Sequence, residues 1–151
     1  MLQKQIYIKN KKAAHDYEFI QTFTCGIVLT GTEIKSLRTG KASISEAYCY
    51  VHNGEMWVKG MHISAYSFGS YNNHDPLRER KLLLKGKELA KIQEKLKDKG
   101  VTIVALSLYL TGRGWAKVDI ALARGKKLHD KREDLKQKDA KREMDKVMKR
   151  Y

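Results

Sequence analysis

The side chains with the clearest chemistry in this sequence are its lysines and arginines, because they occur in clusters. The clusters are Lys9, Lys11, Lys12 and His15; Lys35, Arg38 and Lys41; Arg78, Arg80 and Lys81; and the segment 124–151. Positive side chains neutralise phosphates and release counterions, which gives a protein an affinity for nucleic acids that is independent of base sequence. A single lysine is most often a solvated surface residue, but four clusters on a small chain favour RNA as the partner.

The overall charge agrees with a polyanionic partner. The 151 residues include 31 Lys and Arg against 17 Asp and Glu, a formal net charge of +14 at pH 7. A field of this size attracts RNA, DNA or anionic lipid. No apolar run approaches the roughly 20 residues that cross a bilayer, and the first residues lack the pattern of a secretory signal. We therefore expect a cytoplasmic protein without a membrane partner.

The sequence contains no enzyme signature such as a phosphate-binding loop, a nucleophile elbow or a zinc-protease motif. The loop pair His74-Asp75 has no nucleophile beside it, and such pairs more often stabilise a turn. Cys25 and Cys49 are far apart and lack a C-x-x-C pattern, so we predict reduced, half-buried strand residues. We predict no catalytic residue, no metal and no cofactor. A small RNA-processing enzyme that uses His74, Asp75 and Glu33 is the alternative in that class.

The elements that must position the clusters are predicted to be mostly short strands. Asn53-Gly54 is a strong hairpin signal, because both turn positions need a positive φ, and it separates strand-like runs at 44–52 and 55–63. A second hairpin is predicted over 101–124. A long strand is predicted from about residue 17, where interior Gly26 suggests a bulge or bend.

Two helices and an N-terminal extension complete the pattern. The first helix is predicted to be capped by Thr32 and closed by Gly40. The second is predicted from about Lys87, with an apolar face, and Gly100 is placed to end it. The stretch 65–80 is rich in turn residues and is predicted to be a loop. The first sixteen residues are predicted to be an extension that docks on the core.

The predicted fold is mainly β with flanking helices, an OB-fold-like closed β-barrel of about six strands with two or three helices. Residues 1–123 would form the RNA-binding barrel with its N-terminal extension, and 124–151 a basic C-terminal tail. The tail has twelve Lys or Arg against six Asp or Glu and no continuous apolar stripe to pack on a core. We expect it to be disordered when free and helical when bound.

Several long stretches resemble the motifs of one family. They are "NKKAAHDYEF", "GTEIKSLRTGKASI", "HDPLRERKLLL", "ALARGKKLHDKRE" and "KDAKRE". In order and spacing they resemble the small protein B (SmpB) family, the tmRNA-binding proteins of bacterial trans-translation. The resemblance spans nearly the whole chain, from about Tyr7 into the tail.

The resemblance implies an RNA-binding adaptor and not an enzyme. Such a protein binds the tRNA-like domain of tmRNA and favours its charging by alanyl-tRNA synthetase. With EF-Tu and GTP, it accompanies tmRNA to ribosomes stalled on messages that lack a stop codon. Its tail would enter the decoding centre and the empty mRNA channel, and the protein would be a monomer. A ribosomal or ribosome-assembly protein that holds rRNA through the same barrel is the alternative.

The resemblance also implies contact residues. The tmRNA contacts would be Asn10, Lys11, Lys12, His15, Tyr17, Glu33, Lys35, Ser36, Arg38, Lys41, Leu83 and Lys85. The ribosome contacts of the tail would be Gly125, Lys126, Lys127, His129, Asp130, Lys131 and Arg132, with His129 stacking on a base of the decoding site. The family is expected to have His or Asn where this chain has Lys85, which would contact a phosphate instead of a base edge. Two roles for Glu33 stay open, acceptance from base amino groups and a carboxylate at a helix N-terminus.

Overall fold

In the computed structural model, which describes residues 6–67 and 73–126, nine strands and three helices follow one another along those residues. They are β1 (Tyr7–Lys9), α1 (Lys11–Asp16), β2 (Tyr17–Ile27), α2 (Gly31–Arg38), β3 (Ala42–Ser43), β4 (Tyr48–His52), β5 (Glu55–Lys59), β6 (His62–Ile63), β7 (Arg80–Leu83), α3 (Gly86–Lys95), β8 (Val101–Leu110) and β9 (Ala116–Gly125).

Six of the strands form a closed antiparallel ring in the order β8, β4, β5, β7, β2 and β9, with β9 pairing back onto β8. Strand β1 pairs with β8 along the same edge as β4 does, farther along the strand. Strands β3 and β6 pair in a separate small sheet. Closure gives each of the six strands a paired neighbour on both sides, so the ring has no edge strand. The prediction of an OB-like closed barrel with about six strands and flanking helices is confirmed.

Local sequence signals explain much of the ring. Strands β4 and β5 are joined at Asn53 and Gly54, whose φ angles of 51° and 73° both lie in the left-handed region that this turn requires. Along β2, Phe23, Cys25 and Ile27 point into the core while Thr22 and Thr24 are exposed. The predicted strand 55–63 is instead divided at Gly60 into β5 and β6.

The barrel interior is filled by aliphatic side chains, with an aromatic ring and two thiols. Its fully buried members include Val58, Ile103, Leu108, Val118, Ile120 and Leu122, and Ile92 of α3 and Leu37 of α2 close the same cluster. Cys25 and Cys49 are free thiols that lie wholly inside it, so the half-buried prediction was wrong. Burial raises the pKa of the Cys25 thiol to about 12, which makes it a poor nucleophile.

Three details differ from the sequence prediction. Helix α2 is capped by Thr30 and not by Thr32, because the Thr30 hydroxyl accepts from the Glu33 backbone N–H while the Glu33 carboxylate accepts from the Thr30 backbone N–H. The bulge in β2 lies between Phe19 and Gln21. Strand β7 begins at Arg80, inside the stretch predicted to be a loop.

The predicted domain boundary after Ala123 falls inside β9. Arg124 pairs with Glu18 and Gly125 with Tyr17, and the Lys126 N–H donates to the Asp16 carbonyl at 2.9 Å. The barrel therefore continues to Lys126. The predicted tail beyond it, residues 127–151, lies outside the described residues, and its disorder and folding stay a prediction.

Gly60 is expected to be the most sensitive glycine of the barrel, since its φ is +78° and an added Cβ would lie 2.5 Å from the Glu46 carbonyl oxygen. Gly60→Ala should lower the free energy of unfolding by about 3 kcal/mol or more. Gly54→Ala, with a similar φ and open space around it, should cost only about 1–2 kcal/mol. Urea denaturation of both variants tests this, and equal losses would contradict the steric explanation.

Candidate nucleic-acid interface

Helix α1 is fixed to the barrel by its capping residue. The Asn10 side-chain oxygen accepts from the Ala13 N–H at 3.2 Å, and its amide nitrogen donates to the carbonyls of Ile44 (3.2 Å) and Ala105 (2.9 Å). Asn10 is buried, so its polar atoms are used inside the protein. It positions the helix, and its predicted contact with tmRNA stays a prediction.

The inner face of α1 packs closely because its residue there is small. Ala13 forms a buried cluster with Val104, Ala121 and Ala123 on the outer wall of β8 and β9. This contact leaves Lys11 and Lys12 exposed on the opposite side of the helix. The Lys12 ammonium lies 3.6 Å from the exposed Glu46 carboxylate, a surface pair that is worth little in water and can give way to a phosphate.

The end of α1 carries the other two predicted residues of this cluster. His15 is in the last turn and Tyr17 is the C-cap residue that starts β2; both are half-buried. The structure thus places His15 and Tyr17 beside the two exposed lysines of the same short helix.

Helix α2 is held from beneath by a buried carboxylate. Glu33 accepts from both Arg78 and Arg80, in addition to the Thr30 N–H at 2.8 Å. Arg80 also donates to the carbonyls of Met61 (2.8 Å) and Pro76 (3.2 Å). Glu33 and Arg80 both have no exposed surface. Inside the protein, the pair joins α2 and β7 to the backbone at Met61 and Pro76.

The electrostatics of this pair favour the ionised form. Burial alone would raise the pKa of Glu33, but the hydrogen bonds from Arg78, the Thr30 N–H and Arg80 outweigh it and hold the pKa below the ordinary 4.5. Burial lowers the pKa of Arg80, and the Glu33 carboxylate, which raises it, offsets only part of that effect. A guanidinium nevertheless stays charged at neutral pH, so Glu33 and Arg80 form an ion pair.

The basic strip is defined as Lys35 and Arg38 on the outer side of α2 together with Lys41, which follows the helix; all three are exposed. Glu33, Ser36 and Leu37 occupy the inner side of the same helix. The Lys35 ammonium lies 5.5 Å from the centre of the Tyr66 ring, a cation–π arrangement. Gly40, at φ +74°, ends the turn after the helix and places Lys41 at the start of the next segment.

The structure brings the two basic groups together. Asn10 bonds to Ile44 and Lys12 lies beside Glu46, so α1 adjoins the segment that leaves Lys41. The segment from Lys41 to Glu46 therefore connects the basic strip to the residues that α1 contacts.

Other predicted contacts are placed differently. Ser36 is buried, with no hydrogen-bond partner for its hydroxyl among the described residues, and Glu33 is enclosed by arginines. Glu33 and Ser36 therefore face the interior of the described structure, and their predicted tmRNA contacts stay predictions. The cluster of Arg78, Arg80 and Lys81 is likewise largely committed to protein partners, with Lys81 lying 3.3 Å from Glu55.

The remaining tmRNA candidates lie near the start of α3. Leu83 ends β7 with half of its surface exposed and packs beside Gly26. Lys85 is the exposed N-cap residue of α3, and its backbone N–H donates to Glu88. Of the tail candidates, Gly125 belongs to β9 and Lys126 follows it, while Lys127, His129, Asp130, Lys131 and Arg132 lie outside the described residues.

The residues of the enzymatic alternative have structural partners. The His74 ring bonds through Nδ1 to the Thr32 hydroxyl (2.9 Å) and through Nε2 to the Ile63 carbonyl (2.8 Å). Asp75 accepts from the Leu77 N–H within a turn. Within the described ranges, no group of three or more His, Cys, Asp or Glu could hold a metal, and no helix there is long and apolar enough to span a membrane.

Comparison with known proteins places this surface in context. The family described as SmpB protein matches residues 7–150. The SsrA-binding protein of Phocaeicola vulgatus is 61% identical over 145 residues, covering 96% of this chain and 97% of the relative. That of Bacteroides thetaiotaomicron is 55% identical over 150 residues, covering 99% and 100%.

A solved structure agrees at the level of the fold. One chain of the structure described as "tmRNA-SmpB: a journey to the center of the bacterial ribosome" superposes with a TM-score of 0.69 and 45% identity. The match covers 82% of this chain and 86% of the other.

Removing the Glu33 charge should destabilise the barrel strongly, because Arg78 and Arg80 would lose their shared partner. Glu33→Gln should lower the free energy of unfolding by about 3–5 kcal/mol at pH 7, measured by denaturant titration. Glu46→Gln removes a carboxylate from an exposed pair and should cost less than about 1 kcal/mol.

The same variant has a pH signature. Since the pKa of Glu33 is lowered in the folded state, the unfolded state binds more protons in acid, and this part of the stability is lost as pH falls below about 4.5. Glu33→Gln should therefore show a shallower loss of stability between pH 5 and pH 3. A variant within 1 kcal/mol of the parent, with an unchanged pH profile, would show that the pair contributes nothing to folding.

Proposed function

The chain belongs to the SmpB family, and on that premise we propose that it is an RNA-binding adaptor of trans-translation. It binds the tRNA-like domain of tmRNA and accompanies it to ribosomes stalled on messages without a stop codon. The structural observation that carries this proposal is the surface where Lys11 and Lys12 of α1 adjoin the basic strip. This surface supplies five exposed cations. The relatives of the chain are named SsrA-binding proteins.

The helices that carry those cations are fixed to the barrel, and this determines how the surface can bind. Asn10 fixes α1 and the Glu33–Arg80 pair fixes α2, so the lysines project from rigid elements of the barrel. A preorganised cationic surface loses less entropy on binding than flexible chains do. Phosphate contacts of this kind set register and orientation on a folded RNA more than they read sequence.

The basic tail is proposed to act at a second place. Residues 127–151 would enter the decoding centre and the empty mRNA channel, where Lys127, His129, Asp130, Lys131 and Arg132 would contact ribosomal RNA. Alternating charge with few apolar residues suits a segment that folds on a polyanionic surface.

The remaining partners would be reached through the RNA. EF-Tu with GTP and alanyl-tRNA synthetase would meet this protein in its complex with tmRNA, in the cytoplasm, with the protein as a monomer. Support for this comes from the family alone. The RNA that co-purifies with the protein decides between tmRNA and a ribosomal role, since stoichiometric ribosomal subunits in place of tmRNA would favour a ribosome-assembly protein.

Removing two charges of the basic strip should change the salt dependence of tmRNA binding. With Lys35→Gln and Arg38→Gln combined, the slope of log K against log salt should fall in magnitude by about 2, because each lost phosphate contact removes about 1. The matched control is Lys95→Gln with Lys99→Gln, which should leave the slope unchanged. Both lysines are exposed; Lys95 is the last residue of α3 and Lys99 follows the helix. Equal slopes in both double variants would exclude the basic strip from the interface.

The tail should be separable from tmRNA binding. A chain that ends at Lys126 keeps every described strand, so it should bind tmRNA within about threefold of the parent while failing to support tagging on stalled ribosomes. His129→Ala should behave similarly in the full chain, with affinity nearly intact and peptidyl transfer to alanyl-tmRNA impaired. Binding by filter retention and tagging in a reconstituted translation system measure the two effects. Retained tagging by the truncated chain would contradict the proposed role of the tail.

A further inference from the structure

The outer wall of the barrel at β1, β8, β9 and β2 has two different halves. On one half α1 covers small residues, Val104, Ala121 and Ala123, through Ala13. On the other half no helix of residues 6–67 and 73–126 is packed, and aromatic and polar side chains form cross-strand rows. The first row is Tyr7, Tyr109 and Lys117, and the second is Lys9, Ser107, Asp119 and Thr24.

Two aromatic rings form the centre of the second half. Tyr7 and Tyr109 stack with ring centroids 5.4 Å apart and an interplanar angle of 24°. Tyr7 is 60% exposed, because only one face of its ring lies on Tyr109. The described residues therefore leave a large part of the Tyr7 ring uncovered, and a further planar group could contact it.

The inner ring is fixed by a hydrogen-bond cluster on Asp119. The Tyr109 hydroxyl (3.1 Å) and the Thr24 hydroxyl (2.9 Å) donate to Oδ1, and the Ser107 hydroxyl donates to Oδ2 at 3.0 Å. Burial and the Asp119 carboxylate raise the pKa of Tyr109 above its ordinary value, so the phenol stays protonated and remains a donor. Asp119 is therefore a positioning residue for the Tyr109 ring, and through it for Tyr7.

We propose that Tyr7 and Tyr109, the tyrosine platform, stack an unpaired base of tmRNA. Every base has a π face, and aromatic side chains on a β-surface are a common way to hold single-stranded nucleotides. The platform also suits a nucleotide by charge, because Lys9 and Lys117 flank it at neighbouring positions of β1 and β9. This inference rests on the proposed function, since it names a further contact to the same RNA.

The position of the tyrosine platform supports RNA over a protein partner. Strand β1 leads directly through Asn10 into the exposed Lys11 and Lys12 of α1, so the platform continues the proposed phosphate-binding side. Next to it, Thr22, Thr24, Leu106 and Asp119 help to line an open depression of about 220 Å³, several times the ~30 Å³ share of one water. Hydroxyls and lysines around two rings make a polar surface and not the apolar core that protein interfaces have.

The test compares variants of Tyr7 in the full chain, with a tmRNA transcript as the probe. Tyr7→Leu keeps apolar bulk against Tyr109 but removes the π face, and it should weaken binding about tenfold; Tyr7→Phe should stay within about twofold. Tyr50→Leu is the matched control and should bind normally, because Tyr50 lies on β4 and its hydroxyl donates to Glu79, outside the two rows. Ultraviolet cross-linking followed by mass spectrometry should place a tmRNA base on Tyr7.

The role of Asp119 is tested by a double-mutant cycle. Asp119→Ala should weaken binding by less than Tyr7→Leu, and the combination should be no weaker than Tyr7→Leu alone, since both act on one stack. Thermal melting of each variant shows whether a loss reflects unfolding.

The outcomes separate this inference from the proposed function. Parent protein that does not bind tmRNA overturns the proposed function itself. Parent protein that binds, with Tyr7→Leu equal to Tyr7→Phe and no cross-link at Tyr7, overturns the tyrosine platform alone and leaves the pair as a cross-strand contact that stabilises β1.

Discussion

The interaction on which the arrangement of this surface depends is the buried ion pair between Glu33 and Arg80. It joins residues 47 positions apart, one on α2 and the other on β7, and Arg80 extends it to the backbone at Met61 and Pro76. A buried ion pair adds little net stability compared with apolar packing, because both charges lose their hydration. Its value here is geometric, since α2 has few apolar anchors and a shifted helix would leave two arginines without a carboxylate.

The polar residues of this protein divide by depth. The buried ones, such as Asn10, Glu33 and His74, form hydrogen bonds with backbone and side-chain groups inside the fold. Those on the outer side of the same short helices, such as Lys11 and Lys35, project into solvent. A short helix thus carries both a residue that fixes it and a residue that is exposed to solvent, and we expect mutation of the two to affect RNA binding for different reasons.

Local chemistry made much of the fold predictable. The Asn53-Gly54 hairpin and the β8–β9 hairpin depend on residues that are adjacent in sequence. The start of α3 was predicted to within a residue, but the helix ends at Lys95, before the predicted stop at Gly100. Strand β7 was missed because "RERKLLL" begins with charges whose partner is Glu33, and no local pattern shows that Arg80 is buried. The Thr30 cap was detectable, since Thr30 and Glu33 form the T-x-x-E pattern of a capping box.

For the interface, the family resemblance named candidate residues but could not show which of them are buried. The rows that contain Tyr7 and Asp119 depend on the alignment of four strands, which no local sequence pattern shows.

The last paired residues of β9 fix the point where the barrel ends. Because Gly125 is paired to Tyr17 and Lys126 is bonded to Asp16, the 25 residues that follow start from a fixed origin. As a helix they would reach roughly 38 Å from it. Docking the barrel on an RNA therefore also fixes the point from which residues 127–151 start, and a target within that radius would be met at a raised effective concentration. A displacement of the barrel by a few ångströms would move that starting point by the same distance.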